Sequence, residues 1–103
     1  MKAVGAGRVF GSARPHGLSL HVHKGVMGPQ GVSVYVMRHH RQRGADGDLV
    51  SFEQHLSFRS FDEVALWVGC DPLKSQHSST FDSALNACAD IFSEAKSYDK
   101  STH

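Results

Sequence analysis

The feature that most constrains the fold of this chain is a change in its hydrophobic pattern, from alternation in the first half to a helical repeat in the second. Alternation of apolar and polar residues is typical of half-buried β-strands. It occurs in three segments, Leu18–His23, Val32–Met37 and Val50–Arg59, with Gln54 interrupting the apolar side of the third. Turns are predicted at Gly25–Gly31 and Arg41–Asp48, so we expect the strands to form an antiparallel meander.

The helical repeat begins directly after the third predicted strand. Ser60-Phe61-Asp62-Glu63 matches a capping box, and the apolar residues that follow, up to Gly69, predict a short buried helix. A second helix is predicted to begin near Ser79 or Thr80. Its apolar stripe consists of Phe81, Ala84, Leu85, Cys88, Ile91, Phe92 and Ala95. We therefore predict an α+β fold, an antiparallel sheet of three or four strands with two C-terminal helices packed on one face.

The chain of 103 residues has the length of one domain. Residues 1–17 are rich in glycine and are predicted to be an N-terminal segment or an edge strand. Residues 18–97 are expected to form a single α+β domain. Residues 98–103 are expected to be a polar tail.

The composition narrows the classes of function. Eleven Lys and Arg against ten Asp and Glu give a formal net charge of +1, so attraction to nucleic acid would have to come from a local patch. No apolar run approaches the roughly 20 residues that cross a bilayer. No apolar segment follows Lys2 as in a signal peptide, and Cys70 and Cys88 are too few for a disulfide framework. We therefore expect a cytoplasmic protein that does not bind a membrane.

Alternation also predicts a polar surface on the sheet, which we call the open face because it lies opposite the helices. Its predicted residues are Ser19, His21, His23, Ser33, Tyr35, Met37, Ser51, Glu53, His55, Ser57 and Arg59. The open face is rich in histidine and is flanked by the basic segment Arg38–Arg43. This composition favours a polar recognition surface or a plain solvated sheet over a catalytic cleft.

A metal site is one hypothesis for these histidines. His21 and His23 point the same way from one strand, and His55 with Glu53 could join them from another. Two or three imidazoles with a carboxylate suit zinc or iron. The spacing matches no established metal motif, however, so no metal ligand is assigned.

The residues offer little support for catalysis. Cys88 falls on the apolar stripe of the second helix, and Cys70 lies near the end of the first helix, where the helix dipole disfavours a thiolate. No serine lies in a G-x-S-x-G turn. No catalytic residue and no cofactor are therefore assigned, and a non-enzymatic protein is favoured.

The leading hypothesis is a small protein-binding factor with an accessory, regulatory or inhibitory role. One compact domain with near-neutral charge and no catalytic motif resembles the profile of small inhibitors carried by phages and mobile elements, anti-CRISPR proteins among them. A protein is the expected partner. A homodimer formed through the open face is an alternative arrangement.

The alternative function is nucleic-acid binding. Tyr35 could stack on a base, and the basic segment beside it could contact phosphates. The residues predicted to bind a macromolecule are Tyr35, Arg38, His39, His40, Arg41, Arg43 and Arg59.

Overall fold

A computed structural model describes residues 3–12, 14, 16–25 and 31–101 of the chain. Its strands are β1 (Ala3–Gly11), β2 (Leu18–Gly25), β3 (Val34–Arg43) and β4 (Leu49–Phe58), followed by helices α1 (Phe61–Cys70) and α2 (Ser78–Ser101). The strands form one antiparallel sheet in the order β1-β2-β3-β4. The predicted α+β fold is confirmed, and residues of the N-terminal segment supply the fourth strand.

The third strand is longer than its sequence pattern indicates. β3 begins at Val34 and continues to Arg43, so the basic segment predicted as part of a turn is extended strand. The turn that follows is short: the Gly44 N–H donates to the Asp48 carbonyl at 2.8 Å, and Gly47 adopts a φ of 87°. Positive φ favours glycine at this position. The basic residues of β3 therefore alternate between the two faces of the sheet.

The predicted capping box of α1 is present in a modified form. Ser60 Oγ accepts a hydrogen bond from the Glu63 N–H at 3.2 Å. The Glu63 carboxylate accepts from the Arg59 N–H at 3.0 Å, one residue earlier than the standard partner. The Arg59 N–H, the first one after β4, is therefore already hydrogen-bonded.

The second helix extends further at both ends than predicted. α2 begins at Ser78 and runs to Ser101, so residues 98–101, predicted as polar tail, are helical. Gly and Pro are the residues least favourable inside a helix, and neither occurs between Ser78 and Ser101. Residues 102–103, and residues 26–30 of the predicted loop between β2 and β3, lie outside the described part of the chain.

The core lies between the sheet and the two helices. Its buried apolar residues are Leu18, Leu20, Val22, Val34, Val36, Phe58, Val64, Val68, Phe81, Ala84, Ala87 and Cys88. The Trp67 ring of α1 connects the layers, with its centroid 5.4 Å from that of Phe58 and 5.8 Å from that of Phe81. α2 lies against β1 and β2, and α1 lies against β4. We call the covered side of the sheet the helix-bearing face.

Candidate functional site

The most unusual surface of the described chain is the first half of β4. Leu49, Val50 and Phe52 are 42%, 38% and 48% exposed. Alternation places Val50 and Phe52 on the helix-bearing face, where a core residue is expected, but α1 does not reach them. Ten residues of helix span about 15 Å, whereas ten residues of strand span about 33 Å. Since α1 starts beside the Phe58 end, it covers only that half of β4.

The backbone of β4 has one side without a strand partner. Gly44 and Asp48 form a hydrogen-bonded pair. They continue the register of β3 and β4, in which Val34 lies opposite Phe58. Because bonding alternates along an antiparallel ladder, the even-numbered residues of β4 bond to β3. The N–H and C=O groups of Leu49, Ser51, Glu53, His55 and Ser57 therefore point away from the sheet. We call this row of groups the β4 edge.

The β4 edge has only part of the usual protection of an edge strand. Natural edges are commonly blocked by charged side chains, lysine above all, by proline or by a bulge, and of these β4 has the exposed Glu53 carboxylate. β4 contains no Lys, Pro or Gly, and its ten residues pair with β3 without a register shift. The opposite edge strand differs, since the pairing of β1 with β2 shifts between Val4 and Arg8. The β4 edge is thus the flat, regular edge of this sheet.

A groove of about 630 Å³ lies beside the β4 edge on the helix-bearing face. It is lined by Arg38, His40, Gln42, Ser51, Phe52, Glu53, Gln54, Pro72 and Leu73. The rings of His40 and Phe52 stack on its floor, with centroids 6.2 Å apart and planes inclined by 20°. Pro72 and Leu73, directly after α1, form the wall opposite the strand. An apolar side chain from a strand added at the edge would have room in this groove.

A buried ion pair holds the groove together. Arg38 Nε donates to Asp71 Oδ2 at 2.8 Å, and Arg38 Nη2 donates to Asp71 Oδ1 at 2.9 Å. The side chains are only 11% and 4% exposed. Asp71 Oδ1 also accepts from the Leu73 N–H at 2.9 Å, so the pair fixes the segment after α1 against β3. Arg38, predicted as a binding residue, therefore lies on the helix-bearing face in a structural contact.

His40 is also on the helix-bearing face. It is 9% exposed, and burial together with the nearby positive charge of Arg38 lowers its pKa below 6.5. At neutral pH the ring is therefore uncharged, with one nitrogen that donates and one that accepts. Arg38 and His40 thus lie across the sheet from the other predicted binding residues of β3, because consecutive strand residues face opposite sides.

The remaining predicted binding residues lie on or next to the open face. The strand register places Tyr35, His39, Arg41 and Arg43 there along β3. Arg43 Nη1 donates to the Gly47 carbonyl at 2.8 Å, so this arginine also fastens the turn. Arg59 is exposed just beyond the end of β4. These cations are spread along the strand direction instead of forming one compact cluster.

Three side chains of the open face form a hydrogen-bonded chain. The Tyr35 hydroxyl bonds to His55 Nδ1, and His55 Nε2 lies 3.2 Å from Glu53 Oε2. The His23 ring also lies beside Tyr35, with centroids 6.0 Å apart. The order of groups is that of a nucleophile, a base and an orienting acid. However, His55 and Glu53 are about half exposed on an open sheet, where water weakens the electrostatic stabilisation that catalysis requires.

The histidines suggested as metal ligands are distributed along the open face. His21 and His55 lie in the same cross-strand row, but Met37 of β3 lies between them. Among the described residues, no group of three or more His, Cys, Asp or Glu is arranged to hold a metal ion. The two cysteines are not bonded to each other; Cys70 is exposed and Cys88 is buried.

Sequence reasoning missed the β4 edge and the groove because it treated Val50 and Phe52 as core. The signal that could have revealed them is the length of the predicted first helix, which Gly69 and Pro72 limit to about half the length of the strand.

Comparisons with protein-family models, curated proteins and solved structures give no significant match to the chain. None of the helices in the described residues combines the length and the apolar character needed to span a membrane.

Proposed function

We propose that this protein is a non-enzymatic binding module that captures an extended segment of another protein at the β4 edge. It would act as an accessory, regulatory or inhibitory factor. The observation that supports this proposal is the uncovered half of β4, where outward backbone groups and exposed apolar side chains occur together. Addition of a strand to an open sheet edge is a recurring mode of peptide recognition. A cytoplasmic location, predicted from the sequence, remains a prediction.

The captured strand gains affinity from its backbone and specificity from its side chains. Its main chain exchanges hydrogen bonds with Ser51, Glu53 and His55, whose N–H and C=O groups point outward. Alternate side chains of the captured strand then project onto the helix-bearing face, next to Phe52 and the groove. The preferred segment therefore carries apolar residues at every second position and a basic residue opposite the Glu53 carboxylate.

The test uses a proline in the β4 edge. The Ser51 N–H points away from β3, so Ser51→Pro removes an outward donor without breaking the ladder inside the sheet. Tagged wild-type protein, Ser51→Pro and Ser51→Ala are used as baits in extracts of the native host, with quantitative mass spectrometry. We expect one partner that the wild type and Ser51→Ala retain and that Ser51→Pro loses.

The partner contact is then located by cross-linking. A photoreactive residue at position 51 should cross-link to an extended segment of that partner, whereas the same residue at Ser93, exposed on α2, should not. Circular dichroism verifies that Ser51→Pro retains its fold. Equal recovery of every captured protein by the wild type and Ser51→Pro would contradict the proposal.

A second candidate function is binding of single-stranded nucleic acid on the open face. It is supported by the placement of Tyr35, His39 and Arg41 on one uncovered surface, where a base could stack and phosphates could be contacted. The double substitution Arg41→Ala with Arg43→Ala removes two cations that would contact phosphates. It should reduce the slope of log affinity against log salt concentration by about two. Fluorescence anisotropy measures this, with Arg8→Ala as the control on the helix-bearing face. An unchanged affinity and salt slope would eliminate this candidate.

A further inference from the structure

We infer that, without another partner, the β4 edge is occupied by β4 of a second copy of this chain, in antiparallel pairing about a two-fold axis at Gln54. This inference rests on the proposed function, since it names an occupant for the same edge. The two molecules would form one continuous eight-stranded sheet with all four helices on one side. Binding of the second copy and binding of another strand would be mutually exclusive, because the edge offers one row of backbone groups.

Symmetry limits the registers that are available. A two-fold axis perpendicular to the sheet keeps both helix-bearing faces on the same side, so opposed side chains must belong to the same face. Residues of β4 can then oppose only residues whose numbers have the same parity. The two-fold axis must therefore lie midway between one residue of β4 and the same residue of the second copy. Each candidate register is named by that residue.

The register centred on Gln54 matches a carboxylate with an imidazole and apolar residues with apolar residues. On the open face, Glu53 opposes His55 of the second copy, and the same two side chains lie 3.2 Å apart within each copy. On the helix-bearing face, Phe52 opposes Leu56 of the second copy, and the two Gln54 amides meet at the axis. The other opposed pairs are Val50 with Phe58 and Ser51 with Ser57. Hydrogen-bonding polar pairs and apolar pairs directly across an antiparallel ladder are stabilising, and symmetry produces each of them twice.

Neighbouring registers are poorer. Centring on Glu53 opposes two identical carboxylates and sets Phe52 against Gln54. Centring on Phe52 sets Val50 against Gln54. Centring on His55 opposes two imidazoles and sets Glu53 against Ser57. The pattern of β4 is thus self-complementary at Gln54 and at none of the three registers beside it.

The backbone is compatible with the same register. Glu53 and His55 carry outward groups on either side of the axis, so about four hydrogen bonds would join the two copies there. Gln54 falls in a pair without backbone hydrogen bonds, where opposed side chains approach most closely. Pairing does not extend to Arg59, because its N–H already donates to the Glu63 carboxylate.

The register is tested by a disulfide across the axis. In the paired copies, the two Cα atoms at position 54 would lie about 4.5 Å apart, which is within disulfide range. Gln54→Cys is made in a Cys70→Ser background, which leaves only buried Cys88 as a native thiol. Mild oxidation should yield a covalent dimer. Ser51→Cys in the same background is the matched control, because two copies of position 51 would lie about 20 Å apart.

Charge exchange tests the pairing without a covalent bond. Sedimentation equilibrium of the wild type should show a monomer–dimer equilibrium. His55→Glu places two pairs of like charges across the interface and should raise the dissociation constant at least about tenfold. Adding Glu53→Lys sets a cation opposite each introduced glutamate in the same register and should recover most of the loss. Ser51→Pro should abolish dimerisation, whereas Ser51→Ala should not.

The outcomes separate this inference from the proposed function. A wild type that stays monomeric, or equal cross-linking of the cysteines at positions 51 and 54, would overturn self-pairing at Gln54. Capture of a host protein that depends on the β4 edge would still support the proposed function in that case. Conversely, a dimer that forms as expected, together with host-protein recovery that is unaffected by Ser51→Pro, would leave the self-pairing intact and refute the capture of other proteins.

Discussion

Replacement of Arg38 by methionine tests the buried ion pair that fixes the groove. Methionine keeps much of the aliphatic length of the side chain but removes both hydrogen bonds to Asp71, at 2.8 and 2.9 Å. The Asp71 carboxylate, only 4% exposed, is then left without a cation. The substitution should therefore lower the free energy of unfolding by far more than loss of a surface contact would.

The magnitude follows from the burial of the two groups. Removing one partner of a buried ion pair typically costs about 3–5 kcal/mol, because the other charge stays desolvated. Asp71 retains its bond from the Leu73 N–H, so we expect the low end, about 3 kcal/mol. For a domain of this size, such a change lowers Tm by about 12 °C. Arg38→Met combined with Asp71→Asn, which removes the stranded charge, should recover about half of the loss.

The assay is urea unfolding followed by Trp67 fluorescence, since this ring lies between the sheet and α2. The matched control is Arg8→Met. Arg8 also faces an aspartate, Asp90, but at 3.8 Å and with both side chains more than 60% exposed. Exposed pairs contribute little, so the control should change stability by less than about 0.5 kcal/mol. Equal losses in Arg38→Met and Arg8→Met would refute the reasoning.

Three further results are expected. Ser60→Ala removes the cap of α1 and should cost about 1 kcal/mol in urea unfolding, whereas Ser93→Ala on exposed α2 surface should be nearly neutral. In the native protein a thiol reagent should modify Cys70 readily but Cys88 only after unfolding, because burial raises the pKa of Cys88 to about 12. Burial lowers the pKa of His40, so its stabilising contribution is complete above pH 6.5 and declines as the pH falls below that value. His40→Gln should flatten this decline in a series of unfolding measurements, and an unchanged slope would contradict it.

Much of the fold could be predicted because its elements carry a periodic apolar signal. Leu18, Leu20 and Val22 alternate and are buried in β2, and Phe81 with Cys88 marks the buried side of α2. The end of β3 could not be found in this way, since residues 38–43 are all polar and give alternation no contrast. The length of β4 did indicate where β3 ends, because the two strands of a hairpin pair along the same length and all ten residues of β4 pair with β3.

The candidate site was harder to predict because it depends on contacts between distant parts of the chain. The sequence places Arg38 among basic neighbours, and nothing nearby indicates that it pairs with Asp71, thirty-three residues away. A run of cations therefore looked like one binding patch, although alternation divides it between two faces. By contrast, alternation predicts that Tyr35, His55 and Glu53 share one face, and these three side chains form the hydrogen-bonded chain of that face.

The β4 edge and the groove have one physical origin, the mismatch between a helix of about 15 Å and a strand of about 33 Å. Val50 and Phe52 continue the alternation of Phe58 and so have the pattern of core residues, yet no part of α1 is long enough to cover them. In an isolated monomer Phe52 stacks on His40, but 48% of Phe52 and 38% of Val50 stay exposed to water, which is unfavourable for apolar side chains. A regular edge beside exposed apolar residues is also prone to nonspecific pairing. Both costs are removed together when a strand from a second molecule covers the same half of β4.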